Sequence, residues 1–404
     1  MLVLAGTAYR GLVTRRYGAV LFSVVALAIV VGPAVALRDP TVIPPWFFLL
    51  LVCLPILWDT VVPFSLGTGI VPSLSLATLG LLFVVEIHHF TALRLVPWFA
   101  VVLTVLSTLA MAALLNVLRW TADVLFSTSF LLDGRTQAAI NTAVMVEFVY
   151  VTVAGVLAGI IFFYYFRRVT DLSDSRTSET LPFTGATPTE SALLSERLNL
   201  SIKRQRQLAR GMQVLLALTF GYGLWTRQLP FLVNAGVALA ITFVPALLER
   251  DFGLPVEPGL ALWITSAVFL HVLGTAGLYG LLPPWDALTH TFSATVVAAA
   301  GYATLRAIYI HTPSIHLPPW AMFACTLVFV LAAGVVWELL EFAIDRSALL
   351  LGFDPVLAQH GIDDTIVDLI FDAVGAVIVA AWGTVYLVAV SDYLALQLEQ
   401  RFDI

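Results

Sequence analysis

The sequence predicts an all-α fold, a polytopic transmembrane helical bundle of about 11 membrane helices. Three observations predict it. First, 60% of the 404 residues are hydrophobic and 11% are charged, whereas a soluble domain carries roughly 25% charged residues. Second, apolar runs recur along the chain, each long enough to cross a hydrocarbon layer about 30 Å thick. Third, the apolar periods are helical and no ladder of alternating ten-residue segments occurs, so helices and not a barrel satisfy the backbone.

The totals exclude some classes. A net charge of −6 without a basic arm gives no footing for nucleic acid. The two cysteines, Cys53 and Cys325, lie in apolar runs; they read as small buried hydrophobes, and their number excludes a disulfide framework. The partners expected are membrane lipids, and the expected location is the cell membrane as a multi-pass protein. Oligomeric state is not readable from the chain.

Residues 1–166 read as an N-terminal accessory transmembrane domain. Arg10, Arg15 and Arg16 precede an apolar run at 18–37. The Ala34-Val35-Ala36 triplet resembles a signal-peptidase site, but the run exceeds the usual 7–15 residues of a signal core, so a retained first helix is expected. Further spans read at 44–58, 70–87, 95–118 and 139–166, with Pro44, Pro45, Pro55, Pro63 and Pro72 interrupting the second and third. Glu86, His88 and His89 cannot share one helix face, because facing neighbours are three or four apart. They read as a helix end at the water interface.

Residues 167–210 read as a cytoplasmic linker. Its 170–192 part is rich in Ser, Thr, Asp and Glu and cannot bury a core. From Glu190 to Arg210 the pattern is amphipathic and basic, suited to an anionic membrane surface. Eight Lys and Arg between Arg167 and Arg210 place this segment on the cytoplasmic side. Residues 211–390 then read as six spans, at 211–227, 229–248, 259–281, 286–310, 319–344 and 364–390, followed by a cytoplasmic tail at 391–404.

The candidate site lies in this second half. Up-and-down alternation brings the end of span 259–281, the start of 286–310, the end of 319–344 and the start of 364–390 to one membrane face. Asp364, Asp368 and Asp372 are four apart, and Asp286 and His290 likewise, so each set forms one stripe. Glu338 and Glu341 are three apart, with Asp345 a turn beyond. Asp372 lies roughly 12 Å deeper than Asp364 at about 1.5 Å per residue. His271, near the end of its span, reaches a similar depth. An Asp at the centre of a membrane helix costs about 2.5–3.5 kcal/mol on the gentlest scale. Two ionised carboxylates about 4 Å apart repel by roughly 4 kcal/mol at an effective dielectric near 20. The carboxylates therefore need a compensating partner. Three solutions stay open at this point: some are protonated, a divalent metal ion sits among carboxylates and imidazole, or a cationic substrate or ion passes through. Asp286, Asp363 and Asp364 also have helix capping as a structural explanation; Asp368 and Asp372, inside their helix, do not.

These residues carry a resemblance. The WDALTH start with Asp286 and His290, the LAAGVVWELLEF run with Glu338 and Glu341, and the GIDDTIVD loop and helix start with Gly361, Asp364, Thr365 and Asp368 occur in this order, with His271 in the preceding helix. Residues about 212–390 thereby resemble the YjdF family of bacterial and archaeal inner-membrane proteins. The resemblance implies a six-helix domain and the positions of the site; it implies no activity. The leading functional expectation is a metal-dependent enzyme acting on a lipid or isoprenoid. Glu338, Glu341, Asp364, Asp368 and His271 would hold the metal, and His290, Asp286 and Asp372 would act as ligand, base or proton carrier. A proton- or cation-coupled transporter and a non-catalytic structural or assembly protein are the alternatives.

Overall fold

A computed structural model describes residues 4–6, 9, 17–36, 38–39, 46–53, 70–90, 95–170, 201–252, 256–312, 314–357 and 359–381. Residues 171–200 of the linker, residues 382–390 of the last expected span and the tail at 391–404 lie outside them.

The described residues are helical throughout their long elements. These are α1 (Tyr17–Ala36), α2 (Trp46–Val52), α3 (Ile70–Phe90), α4 (Pro97–Phe126), α5 (Gln137–Thr170), α6 (Ile202–Thr226), α7 (Leu229–Thr242), α8 (Val244–Phe252), α9 (Pro258–Leu273), α10 (Pro284–His311) and α11 (Pro319–Leu350). A last helix, α12, covers 362–381. Proline opens α4, α9, α10 and α11, where its missing N–H would have had no helical partner anyway and its fixed φ suits the first turn. Seven stretches among the described residues are long and apolar enough to span a bilayer. The helical membrane bundle therefore stands; the expected count of about eleven spans is not confirmed, with seven candidates among the described residues.

Three boundaries differ from the sequence reading, each for a local reason. The described part of the amphipathic segment, from Ile202 on, and the span after it form one continuous helix, α6, started by Ser201, whose hydroxyl accepts from the Arg204 N–H at 3.4 Å. Helix α11 does not end at 344 but runs to Leu350. Ala348, Leu349 and Leu350 favour helix, and the stop comes at Gly352 with φ +80°. There the Phe353 N–H bonds Ala348 O at 2.9 Å and the Gly352 N–H bonds Leu349 O at 3.1 Å, the paired closure of a helix ending on a left-handed glycine. Between α9 and α10 the helix kinks in a π-turn over Gly274–Leu278, where Gly277 has φ +127°.

Packing runs across the molecule as a sequence of neighbours. Helices α3, α4 and α5 form one bundle, α11 lies against α4, α10 against α11, α9 against α10, and α6 and α7 close the far side. The two halves of the chain share their apolar interior. Leu109, Ala112, Met145 and Phe148 are buried in the same cluster as Val335, Ile362, Ile366 and Leu369. Val84, Phe99 and Leu103 meet Tyr302, Met322 and Cys325 in a second one. Cys53 and Cys325 are both buried and free. At the α4–α5 turn, buried Asp123 accepts from the Thr128 hydroxyl at 2.5 Å and from the N–H groups of Phe130, Leu131 and Leu132 at 2.7–2.8 Å.

Helix α12 positions the site. It is wedged against α10 and α11 at two glycines. A Cβ on Gly375 would lie 2.5 Å from Thr291 O and 2.8 Å from the Ala294 Cβ, and one on Gly334 would lie 2.8 Å from Asp372 Oδ2 and 2.9 Å from Leu369 Cδ2. Small residues at such crossings let membrane helices approach backbone to backbone. The approach turns Asp368 and Asp372 inward, towards α10.

Candidate functional site

Asp286 occupies the first turn of α10. It makes no capping bond there, so the capping explanation does not apply to it. Its carboxylate instead faces down the helix towards His290, four residues on, with Oδ1 3.9 Å from Nε2. The same nitrogen lies 3.6 Å from Asp368 Oδ1 on α12, and His290 Nδ1 lies 3.4 Å from Asp372 Oδ1. One imidazole thus sits between carboxylates from two helices. Asp286, His290 and Asp368 each offer one donor atom, and the three atoms lie within 4.8 Å of one another.

A cleft enclosing about 320 Å³ opens beside them, lined by His271, Tyr279, Asp286, His290, Glu341, Gln359, Asp364 and Asp368 among others. Among the described residues no Lys or Arg lines it. Arg346, close in sequence, stacks instead over the Phe342 ring, its guanidinium carbon 5.5 Å from the centroid. Exposure falls along the α12 stripe: the Asp364 side chain is 25% exposed at the mouth, beside the 71% exposed His360, and the Asp368 side chain is 5% exposed inside. Asp368 Oδ1 is buried and has no hydrogen-bond partner among the described residues.

The other acidic residues divide by what they touch. Glu341 is buried in the cleft wall. Asp364 accepts from the His360 N–H at 2.8 Å, the back-bond of a third helical residue to the chain just before its helix. Asp363 accepts from Trp120 Nε1 at 2.6 Å and Gln137 Nε2 at 2.8 Å, both from the N-terminal half. Asp345 accepts from the N–H groups of Val356, Leu357 and Gln359 at 2.8–3.1 Å, folding the loop back over the cleft. Buried Glu338 turns to Gln359 Nε2 at 2.8 Å and the Thr365 hydroxyl at 2.9 Å.

His271 lines the cleft with both ring nitrogens engaged. Asn234 donates its amide N–H groups to Pro230 O at 2.9 Å and Val356 O at 3.0 Å. Its Oδ1, 3.2 Å from His271 Nε2, is therefore the acceptor, and that nitrogen carries the hydrogen. His271 Nδ1 then accepts from the Tyr279 hydroxyl at 2.8 Å. The π-turn makes this possible by folding the Tyr279 ring back onto Gly274.

Of the residues singled out in the sequence, Asp286, His290, Asp368 and Asp372 meet directly, Glu341, Asp364 and His271 share their cleft, and Glu338 is held behind it. Trp120, Gln137, Asn141, Asn234, Tyr279 and Gln359 were not singled out. Amide and aromatic side chains carry no spacing signal, and the N-terminal ones reach the site across more than 200 positions of chain. Glu86 is buried; the side chains of His88 and His89 lie outside the described residues.

Fold and site together define a multi-pass helical membrane protein with an Asp/His cluster near one end of its bundle. Residues 208–389 match a family model described as a predicted membrane protein, DUF2238. A stretch of 116 residues is 33% identical to an uncharacterized protein of Thermotoga maritima. That stretch covers 28% of this chain and 56% of the relative, so the chain spans about half the length of the curated relative it matches. No solved structure matches the chain. The matched family range is nearly the one that resembles YjdF, with which it is compatible, and it contains every residue of the Asp/His cluster.

Proposed function

We propose that this is a cell-membrane protein with an intramembrane divalent-cation centre, serving metal-assisted hydrolysis or transfer at a lipid headgroup. Asp286, His290 and Asp368 are its ligands, with Glu341 and Asp364 at hand in the cleft wall. The observation that carries this is the buried Asp368 Oδ1, which accepts no hydrogen bond among the described residues and has His290 Nε2 beside it at 3.6 Å, in a cluster in which carboxylates outnumber cationic groups. A buried charged oxygen without a donor is costly, and a cation held jointly with Asp286 and His290 supplies the missing partner. Two or more carboxylate oxygens and one imidazole suit Mn²⁺, Mg²⁺, Fe²⁺ or Zn²⁺ in preference to a thiolate-selecting metal. A cation there polarises a headgroup oxygen or a bound water. The Tyr279–His271 pair across the cleft is placed to exchange a proton with the same substrate. His271, with both nitrogens engaged, and Glu338, bonded elsewhere, are left out of the ligand set.

Cation-coupled transport is the second reading, favoured by one observation: the imidazole of His290 links Asp368 to the deeper Asp372, a path inward along α12. Elemental analysis of the purified protein tests the metal centre. The expected result is a stoichiometric divalent metal that is lost in the Asp364→Ala, Asp368→Ala double variant. Metal-free protein that stays metal-free after incubation with each candidate ion would contradict it. Ion flux lost in Asp372→Asn, from protein without bound metal, would favour transport.

A further inference from the structure

Behind the cleft, four side chains from both halves of the molecule form a closed set of contacts. Asn141 on α5 donates from Nδ2 to Gln359 Oε1 at 2.7 Å. Gln359 Nε2 lies 2.8 Å from Glu338 Oε2 and 3.4 Å from the Glu338 carbonyl. The Thr365 hydroxyl lies 2.9 Å from Glu338 Oε2 and 3.1 Å from Asn141 Oδ1. Glu338, Thr365 and Asn141 are all buried.

The hydrogens in this set can be counted. Gln359 faces two oxygens of Glu338, so its nitrogen points that way and its Oε1 points to Asn141. Asn141 must then present Nδ2 to Gln359 and Oδ1 to Thr365. Oδ1 can only accept, so Asn141 Oδ1 and Glu338 Oε2 both call on the single hydrogen of the Thr365 hydroxyl. If Glu338 is ionised, one of these two contacts, at 3.1 Å or 2.9 Å, is left with no hydrogen. One added proton, on Glu338 Oε2, completes the ring: Glu338 donates to Thr365, Thr365 to Asn141, Asn141 to Gln359, and Gln359 back to Glu338. Reversing both amides gives a ring of opposite sense, which also closes only with a proton on Glu338. Buried rings in which each group both donates and accepts reinforce one another.

We infer that Asn141, Thr365 and Gln359 hold Glu338 as a neutral carboxylic acid in a closed four-residue ring, through which the N-terminal half positions Gln359 in the cleft wall. Asn141 is thus a positioning residue supplied by a part of the chain outside the matched family range. The charged groups that act on Glu338 are His290 of α10, Asp368 and Asp372 of α12, and Glu341 on its own helix. The inference rests on hydrogen-bond geometry alone and does not depend on a bound cation.

Infrared difference spectroscopy of the full chain in detergent, wild type minus Glu338→Gln at neutral pH, tests it. The expected spectrum contains the carbonyl band of a protonated carboxyl group, which disappears in Glu338→Gln and shifts in both Asn141→Leu and Thr365→Val. Glu338→Gln, which keeps a hydrogen towards Thr365, is expected to lower Tm less than Asn141→Leu. A carboxylate band in place of the protonated one, or a Glu338→Gln variant that fails to fold, would overturn the inference. Uniform labelling of glutamate with carbon-13 separates the band from those of the aspartates, and its loss in Glu338→Gln assigns it to Glu338 among the buried glutamates. Metal content measured on the same samples keeps the outcome separate from that of the cation centre.

Discussion

Gly375→Leu is expected to dismantle the site without touching any of its polar residues. The Cβ position is already 2.5 Å from the Thr291 carbonyl oxygen, and Thr295 N lies 3.2 Å away. Both are backbone atoms of α10 and cannot rotate aside. Overpacking a tight interface costs about 1–3 kcal/mol and sometimes more, and relief here means moving α12 away from α10. Asp368 and Asp372 would move with it, away from His290. The variant should lose thermal stability and bound metal together. Val377→Leu, two residues on at a 45% exposed position, should change neither. A Gly375→Leu protein with wild-type Tm and metal content would show that this contact does not assemble the cluster.

Asp345→Ala is expected to release the segment that roofs the cleft. One carboxylate there holds three backbone N–H groups, of Val356, Leu357 and Gln359. A buried N–H left without an acceptor costs about 1–3 kcal/mol. Val356 is buried, while Leu357 and Gln359 are partly exposed and can turn to water. The expected loss is on the order of 3–5 kcal/mol, with Asp345→Asn intermediate because one oxygen remains. Hydrogen exchange over 353–361 should accelerate in Asp345→Ala, and Asn234, which holds Val356 O, should not suffice to protect the segment. Unchanged exchange there would contradict the role assigned to Asp345.

What was legible in the sequence was periodic. The i, i+4 spacing of Asp286 and His290, and of Asp364, Asp368 and Asp372, reports a helix face. Alternation of spans reports a common level. Together they anticipated that groups from α10 and α12 meet, and they do. Spacing could not separate a carboxylate that faces a cleft from one that ties down a loop. Glu338 and Glu341 sit one turn apart, yet one closes a ring with Thr365 and Gln359 and the other lines the cavity. Asp345 looked like an extension of their stripe and proved to be the anchor of the following loop. That role depends on where the chain returns after Gly352, which no local pattern reports. Asn141 and Trp120 were illegible for a related reason. Their partners lie across the shared core of Met145, Phe148, Ile362 and Ile366, and only tertiary packing joins them.

The claim on which the account turns is that side chains from α10 and α12 share one guest cation. Pulsed electron spin resonance of the Mn²⁺-loaded protein addresses it most directly, because a nitrogen bound to the ion modulates the echo. The account predicts modulation from a single imidazole nitrogen that vanishes in His290→Gln, with Mn²⁺ affinity falling sharply in Asp368→Asn. An echo like that of the fully hydrated ion, with no nitrogen coupling and no response to either substitution, would contradict it.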